Sequence, residues 1–545
     1  MTAWRIPLAA ALLLIAGLPL LATAALALAS LLDAGAWQAL WHNPVWPRAL
    51  GLSLWTGLAS TVLAWWLCAA LLAQGFVQGT LARVLRFLPV MLATPHAAFA
   101  IGLVFLVSPS GWLLRAFSPW LTGFDWPPAW PTTQDPWGLG LIVALVAKEV
   151  PFLLWTAATQ LQRDDVRARW HREHALAQTL GYSPQRAWWR VVWPQLAGRL
   201  RWPLLAVLAY GLTVVDMALI IGPASPPTLA VLAWQWLQDA DPLVNAQGAA
   251  AGGVLAVAVL LAAWVWQTAQ NSTTLRQGLF NGQRGALRSR AAQGAGSTTH
   301  ALLTGLYAAV LLALAVGSVA GLWPFPALWP EQLSGQAWAS VAASSATLGT
   351  TLTLALGAST AALIWSVAWL EVAPPAWDQT LRPLLYLPLV LPAVLWVVGL
   401  YGLALRLQLE GQWLGLLLAH TLMVLPYVLL ALSPAYRGFD ARYSAVCATL
   451  GHGRAAFLWR VKWPLLRRSL SASLAVGFAV SVAQYLPTLF VGAGRHATVT
   501  TEAVALAAGA QRSLTSAYAA LQFALPVLVF ALAAWLGRPR RFTAP

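Results

Sequence analysis

Along the chain, long apolar runs are separated by short polar segments. Twelve such runs lie near 6–31, 49–74, 87–107, 138–160, 203–222, 245–267, 301–322, 346–370, 384–405, 412–433, 470–491 and 517–536. An α-helix rises about 1.5 Å per residue, so ~20 apolar residues cross a hydrocarbon layer of ~30 Å. In lipid every backbone N–H and C=O must be satisfied internally, and unbroken runs of this length predict helices. The first run is long for a cleaved leader and lacks a small-residue cleavage site, so it too reads as a spanning helix. The pattern predicts an all-α integral membrane protein of about 12 transmembrane helices.

Composition agrees: 59% of residues are apolar and 9% charged, with a mean hydropathy of +0.68. A soluble surface needs roughly a quarter charged residues. Charge placement then sets orientation. With the N-terminus inside, the cytoplasmic segments hold 26 of the 32 basic residues. These are Arg5, Arg83, Arg86, eight arginines between 163 and 201, four between 276 and 290, Arg382, seven Lys/Arg between 437 and 468, and three at 538–541. The other side keeps Arg48, Arg115, Arg406, Arg495 and Arg512. This is the positive-inside asymmetry of a bacterial inner-membrane protein with both termini cytoplasmic. The net charge of +16 follows from topology and does not indicate nucleic acid. Cys68 falls in a spanning run and Cys447 in a cytoplasmic loop, so neither a disulfide framework nor a cysteine metal site is expected.

Residues 269–300 are polar, rich in Gly and Arg and free of acid, the composition of a linker. They separate a first half, 1–268, from a second, 301–545, each with six runs. Across this seam the sequence repeats. Leu176–Pro194 reads LAQTLGYSPQRAWWRVVWP and Val446–Pro464 reads VCATLGHGRAAFLWRVKWP. At an offset of 270 they share Thr-Leu-Gly (179–181 and 449–451), Trp189/Trp459, Arg190/Arg460, Val191/Val461, Trp193/Trp463 and Pro194/Pro464. Ala59-Ser60-Thr61 echoes Ala358-Ser359-Thr360, Pro95 and Gly102 echo Pro392 and Gly399, and Gly222 and Thr228 echo Gly492 and Thr498. Six crossings return each half to the same orientation, so the repeat is parallel.

The repeated segment, within loops at about 162–202 and 435–469, reads as helix, glycine turn, helix. Before Gly181 a short amphipathic run can place Ala175, Leu176, Thr179 and Leu180 on one face. Glycine allows a sharp turn that a Cβ would hinder. The Trp/Arg/Val stretch suits the headgroup layer, and Pro194 and Pro464 suit the start of the next spanning helix. A rigid cytoplasmic helix pair of this kind fits a groove on a partner. The bland alternative is a basic helix lying on the inner leaflet.

With glycine thirteen residues before a closing proline, twice, between the fourth and fifth runs of each half, these segments resemble the EAA loop of binding-protein-dependent ABC permeases. The two-halves-in-one-chain layout resembles fused permeases of thiamine and iron(III) importers. The external loop and the AQYLPTLFVGAG stretch at 483–494 look closest to a thiamine-type branch of uncertain substrate. The resemblance implies two tandem six-helix permease domains and a coupling helix in each half. It further implies two copies of an ATPase subunit at the cytoplasmic face and a periplasmic solute-binding protein. Carried onto this sequence, the coupling positions are Ala175, Ala177, Thr179, Leu180, Gly181 and Pro194, and Ala445, Cys447, Thr449, Leu450, Gly451 and Pro464. The glutamate opening the family pattern is Ala175 in one copy and Ala445 in the other, which removes any salt bridge from that position.

No GxxxxGK[ST] loop is present, since neither Lys148 nor Lys462 follows glycine, so ATP binding falls to a partner subunit and no cofactor is expected here. No HExxH or GxSxG motif occurs, and an enzyme reading has no residues to rest on. Within the spanning runs, Lys148, Glu149 and Asp216 stand out, because charge in a membrane is costly. Lys148 and Glu149, just before Pro151, are read either as helix-contact groups near a kink or as part of a pathway. Asp216 is expected mid-helix in the fifth run, as a pathway acid for a cationic solute or as a helix–helix hydrogen bond. Gln484 and Tyr485 lend polarity to the second half. The Trp- and Pro-rich external segment 108–137 reads as an interfacial anchor or as a contact for an external partner. An ion-coupled secondary transporter of twelve helices is the runner-up. The duplicated cytoplasmic loop and the lack of a proton or sodium relay weigh against it.

Overall fold

The computed structural model describes residues 4–161, 163–271, 289–509 and 511–538. Throughout these residues the regular structure is helical, apart from one isolated bridge between Ala320 and Leu333. Among them, ten helices are long and apolar enough to cross a membrane, and Ala393–Arg406 is a shorter apolar helix. The protein is an all-α, multi-pass membrane protein. Ten of the twelve expected runs correspond to these long helices. The run at 384–405 divides into the helical turn Leu387–Val390 and the shorter helix, with Pro392 at the break between them.

The run at 203–222 is not one helix. It divides into Arg201–Thr213 and Asp216–Ile221, with Val214 extended (ψ 133°) between them. The eleventh run breaks likewise, into Trp463–Val482 and Leu486–Gly492. Leu486 lies 270 residues after Asp216, so both breaks keep the register of the repeat. Asp216 therefore opens a short helix after a break, and the mid-helix expectation is corrected. Beyond each break the chain turns into another short helix, Leu229–Trp236 or Val499–Ala507. Its first N–H is received by a hydroxyl of an earlier span: Leu229 donates to Ser53 Oγ and Val499 to Thr351 Oγ1, each at 2.9 Å. Of the expected linker at 269–300, residues 272–288 lie outside the described residues. Its flanks continue the helices Pro242–Asn271 and Ser289–Gly317.

The described chain divides into two compact units, Asp33–Ser334 and Met1–Leu32 with Gly335–Pro545. In the first, the helix Trp46–Val77 packs on Leu139–Leu161 and Arg201–Thr213, while the seventh span, Ser289–Gly317, lies on His96–Val107. In the second, Ser345–Val372, Trp413–Arg437 and Trp463–Val482 pack together, and the first span, Arg5–Ala29, lies on Ala393–Arg406. Packing thus places the first span with the later part of the sequence and the seventh with the earlier part. The repeated pair Gly102 and Gly399 marks both crossings. A Cβ on Gly102 would sit 2.7 Å from Val310 Cγ1 and 2.9 Å from its carbonyl oxygen, and one on Gly399 would overlap the Thr23 carbonyl oxygen. Small residues let membrane helices approach this closely.

Candidate functional site

The helix Asp164–Thr179 ends at Gly181, whose φ of +89° only glycine adopts readily. The N–H of Tyr182 donates to the Ala177 carbonyl (3.2 Å) and that of Gly181 to Gln178 (3.0 Å). In the second copy Arg442–Thr449 ends at Gly451, φ +75°, with His452 donating to Cys447 (2.9 Å) and Gly451 to Ala448 (3.1 Å). Both are Schellman closures, which satisfy carbonyls that a helix end leaves open. The first helix has 16 residues and the second eight, so the run before Gly181 is longer than its pattern suggested.

Past the turn, both copies contain a feature with no simple sequence signature. Residues Trp188–Val192 and Leu458–Lys462 form widened π turns, again 270 apart. Pro194 and Pro464 sit at the second position of the helix that follows. Proline has no N–H to donate, and its ring crowds the carbonyl four residues back, so the turn before it opens. Pro464 opens the spanning helix Trp463–Val482, as its position suggested. Pro194 instead opens the seven-residue helix Trp193–Arg199, which precedes the span.

The outward face before each glycine is apolar and bare. Leu176 is 61% exposed and Leu180 53%; their counterparts Val446 and Leu450 reach 55% and 68%. Ala175, Thr179, Ala445 and Thr449 are exposed beside them. Ala177 and Cys447 face the other way and are buried.

The two loops are held by different chemistry. Phe76, at the end of the second span, stacks on His171 (ring centroids 4.5 Å apart) and packs against buried Trp188 (4.9 Å). Partial burial there, followed by the electrostatic influence of Arg167 and then of His174, lowers the His171 pKa. Gln195 ties the first helix to the π turn. Its oxygen accepts from Trp170 Nε1 (3.0 Å) and Arg169 (3.2 Å), and its nitrogen donates to Glu173 (2.7 Å) and to the Val191 carbonyl (2.8 Å). In the second loop the corresponding residue is Leu465, and a carboxylate organises the region instead. Glu371 pairs with Arg454 and with Lys462 (2.8 Å) and accepts from Tyr436 Oη (2.8 Å), while Arg5 donates to its carbonyl (3.1 Å). Lys462 also lies over the Tyr436 ring, 3.9 Å from its centroid.

Inside the spans, Lys148 and Glu149 are buried, and both reach the segment 91–96. Lys148 Nζ donates to the carbonyls of Met91 (3.0 Å) and Thr94 (2.6 Å). Glu149 Oε1 lies 4.0 Å from His96 Nε2. The His96 and Tyr210 rings are 4.7 Å apart, and Tyr210 Oη donates to Asp216 Oδ1 at 3.5 Å. Gln484 and Tyr485 lie in the break before Leu486, at the positions that Val214 and Val215 hold before Asp216 in the repeat. Near them His420 is buried, with Nδ1 2.8 Å from Ser481 Oγ and Nε2 2.9 Å from Thr488 Oγ1. The Thr488 hydroxyl donates to the Gln484 carbonyl (2.9 Å), so it accepts from His420 Nε2–H, and Ser481 donates to Nδ1. His96, Tyr210, His420 and Glu371 carry no motif. Glu371 lies one residue past the expected end of its run, where an acid beside the arginine-rich repeated loop is the available signal.

The chain is 35% identical over 535 residues to the inner membrane ABC transporter permease protein YnjC of Escherichia coli K12, covering 96% of this chain and 95% of that one. The chain belongs to the ABC transporter permeases. This permease is also 27% identical to the thiamine transport system permease protein ThiP of Salmonella typhimurium, over 83% of its own length and 82% of ThiP. A 130-residue stretch, 22% of the permease, is 35% identical to the molybdenum transport system permease protein ModB of Mycobacterium tuberculosis, of which it covers 49%. No protein-family model matches the chain. The permease is a membrane-spanning subunit of an ABC importer, a transport protein and not an enzyme, and it works with an ATPase and a substrate-binding protein.

Proposed function

We propose that the permease moves a small solute inward across the bacterial inner membrane by alternating access, with its two loops as the handles of the ATPase. In this reading both termini are cytoplasmic, as the arginine distribution favours, and two tandem six-span halves, 1–268 and 301–545, flank the linker. A periplasmic binding protein delivers the solute, and two copies of the ATPase subunit each receive one loop. The carrying observation is the duplicated turn. At positions 270 apart, a glycine-closed helix presents Leu176 and Leu180, or Val446 and Leu450, to the outside while Ala177 or Cys447 anchors it. Exposed apolar side chains at helical spacing on an otherwise polar face suit insertion into a groove. With the family glutamate replaced by Ala175 and Ala445, the grip rests on shape and apolar contact. Lys148, Glu149, Asp216, Gln484 and Tyr485 are the pathway residues of this reading. Thiamine-like solutes and iron(III) are the solute classes to which the wider resemblance leads.

The test is reconstitution with the ATPase and binding protein. Gly181→Trp and Gly451→Trp should each leave the permease inserted and lower solute-stimulated ATP hydrolysis at least about tenfold, since no bulky residue adopts the turn without strain. Full stimulation in both variants, or uptake driven by an ion gradient without the ATPase, would overturn the proposal.

A further inference from the structure

The fifth span of each half is broken, but the two breaks are fastened differently. In the second half His420, on the neighbouring span Trp413–Arg437, holds both sides of the break at once. Its Nδ1 receives the hydroxyl of Ser481, before the break, at 2.8 Å, and its Nε2–H donates to Thr488, beyond it, at 2.9 Å. Carbonyls at the break are taken up as well. Thr488 donates to that of Gln484 and Thr500 to that of Val482, while Gln522 Nε2 donates to the Thr500 hydroxyl at 2.7 Å. All five side chains are buried. In hydrocarbon a freed backbone carbonyl has no water to turn to, so these bonds hold the break in one geometry.

Through the repeat the same five positions in the first half are Leu145, Gly211, Ala218, Ala230 and Gly252, with Pro151 set opposite Pro426 for the first and an offset of 270 for the rest. None of these residues has a side-chain donor or acceptor. Across the first break Tyr210 Oη reaches Asp216 Oδ1 at 3.5 Å, well beyond the ~2.7 Å of a firm hydroxyl hydrogen bond. Thr213 turns its hydroxyl back to the Ala209 carbonyl of its own helix, at 2.7 Å. Just before the break Gly211 lies against Gly57 of the second span. A Cβ on Gly211 would sit 3.3 Å from the Gly57 Cα, and one on Gly57 would sit 2.9 Å from the Leu212 nitrogen. Two bare backbones in contact, without interlocking side chains, let one helix slide and bend against the other.

We propose that the two breaks divide the work of transport. The break at 214–215 is a hinge that bends as the permease alternates between its two faces, and the break at 483–485 is a strut that His420 holds fixed. His420 is thus a positioning residue, acting through Ser481 and Thr488. The division rests on the alternating-access reading and adds to it which half bends.

Hydrogen exchange by mass spectrometry on the full-length permease in lipid nanodiscs tests the fastening. Relative to the same sequences unfolded, amides at 213–219 should exchange about tenfold faster than those at 483–489, the factor that one or two net hydrogen bonds supply. His420→Leu, the residue type that the first half carries, should bring 483–489 up to the rate of 213–219 and leave 213–219 unaltered. His420→Gln, able to accept from Ser481 and donate to Thr488, should keep 483–489 slow, which separates lost bridging from lost folding. Equal rates at the two breaks in the unaltered permease, or His420→Gln as fast as His420→Leu, would overturn the strut. The hinge is tested in the permease–ATPase complex trapped with ATP and vanadate. Exchange at 213–219 should change by about threefold or more on trapping, and that at 483–489 by less than about 1.5-fold. A change at 483–489, alone or together with 213–219, would overturn the division and leave alternating access standing; no change at either break would remove both.

Discussion

Replacing Glu371 with glutamine should loosen the second repeated loop and leave the first untouched. The Glu371 side chain is 13% exposed, that of Lys462 12% and that of Arg454 33%. At an effective dielectric near 20, opposite charges at the observed 2.8 Å attract by about 6 kcal/mol before desolvation is subtracted. Removing one partner of a fully buried pair costs about 3–5 kcal/mol. Here the arginine reaches solvent and glutamine keeps a hydrogen bond to Tyr436, so a cost of about 2 kcal/mol is expected. Spent on local opening, that amount speeds amide exchange by about 30-fold. Exchange mass spectrometry on the purified permease should therefore show faster exchange at 454–463 and none of the change at 183–193. Equal acceleration in both loops, or none in either, would refute the assignment of Glu371 as the organiser of one loop.

Three further outcomes follow from the same geometry. Phe76→Ala should give the converse pattern, opening 170–192 by about 2–4 kcal/mol as the packing against His171 and Trp188 is lost, with 442–463 unchanged by the same exchange measurement. Gly399→Ala should lower the thermal midpoint in detergent, since its Cβ overlaps the Thr23 carbonyl and overpacking costs about 1–3 kcal/mol, whereas Gly402→Ala, whose nearest neighbour would be 3.6 Å away, should leave it unchanged. Leu450→Glu, at a position 68% exposed, should weaken ATPase binding in a pull-down titration while shifting stability by less than about 0.5 kcal/mol.

The apolar runs carried most of the architecture because lipid imposes one demand everywhere, and twenty apolar residues in a row answer it only as a helix. The glycine turns were equally readable, since Gly181 and Gly451 occupy a conformation that other residues resist and recur in register. What could not be read depends on contacts between distant segments. The break before Asp216 follows no proline; Gly211, Thr213 and two β-branched valines surround it, a pattern that also occurs in continuous membrane helices. The π turns arise from the prolines that were singled out, but as an effect on the preceding turn. His96 lies far in sequence from Tyr210 and Asp216, so only the fold could bring its ring against that of Tyr210. The pairing of Gly102 with Gly399 was visible as an echo. That each is a point where a span from elsewhere in the sequence crosses was not.

Those crossings also bear on how the protein is made. The first span enters the bilayer at the start of synthesis, yet the helix it packs against most extensively begins at Ala393. Until then Thr23, whose carbonyl oxygen abuts Gly399, has no partner from its own unit, and the span must wait in lipid through more than half of translation. The seventh span, by contrast, emerges after its partners and can dock at once. Assembly of the unit that contains residues 335–545 is thus the late step of biogenesis, and a ribosome-stalled chain ending shortly before Ala393 would hold one unit complete and the other with its first helix resting on Ser345–Val372 and Pro375–Leu385 but short of its main partner.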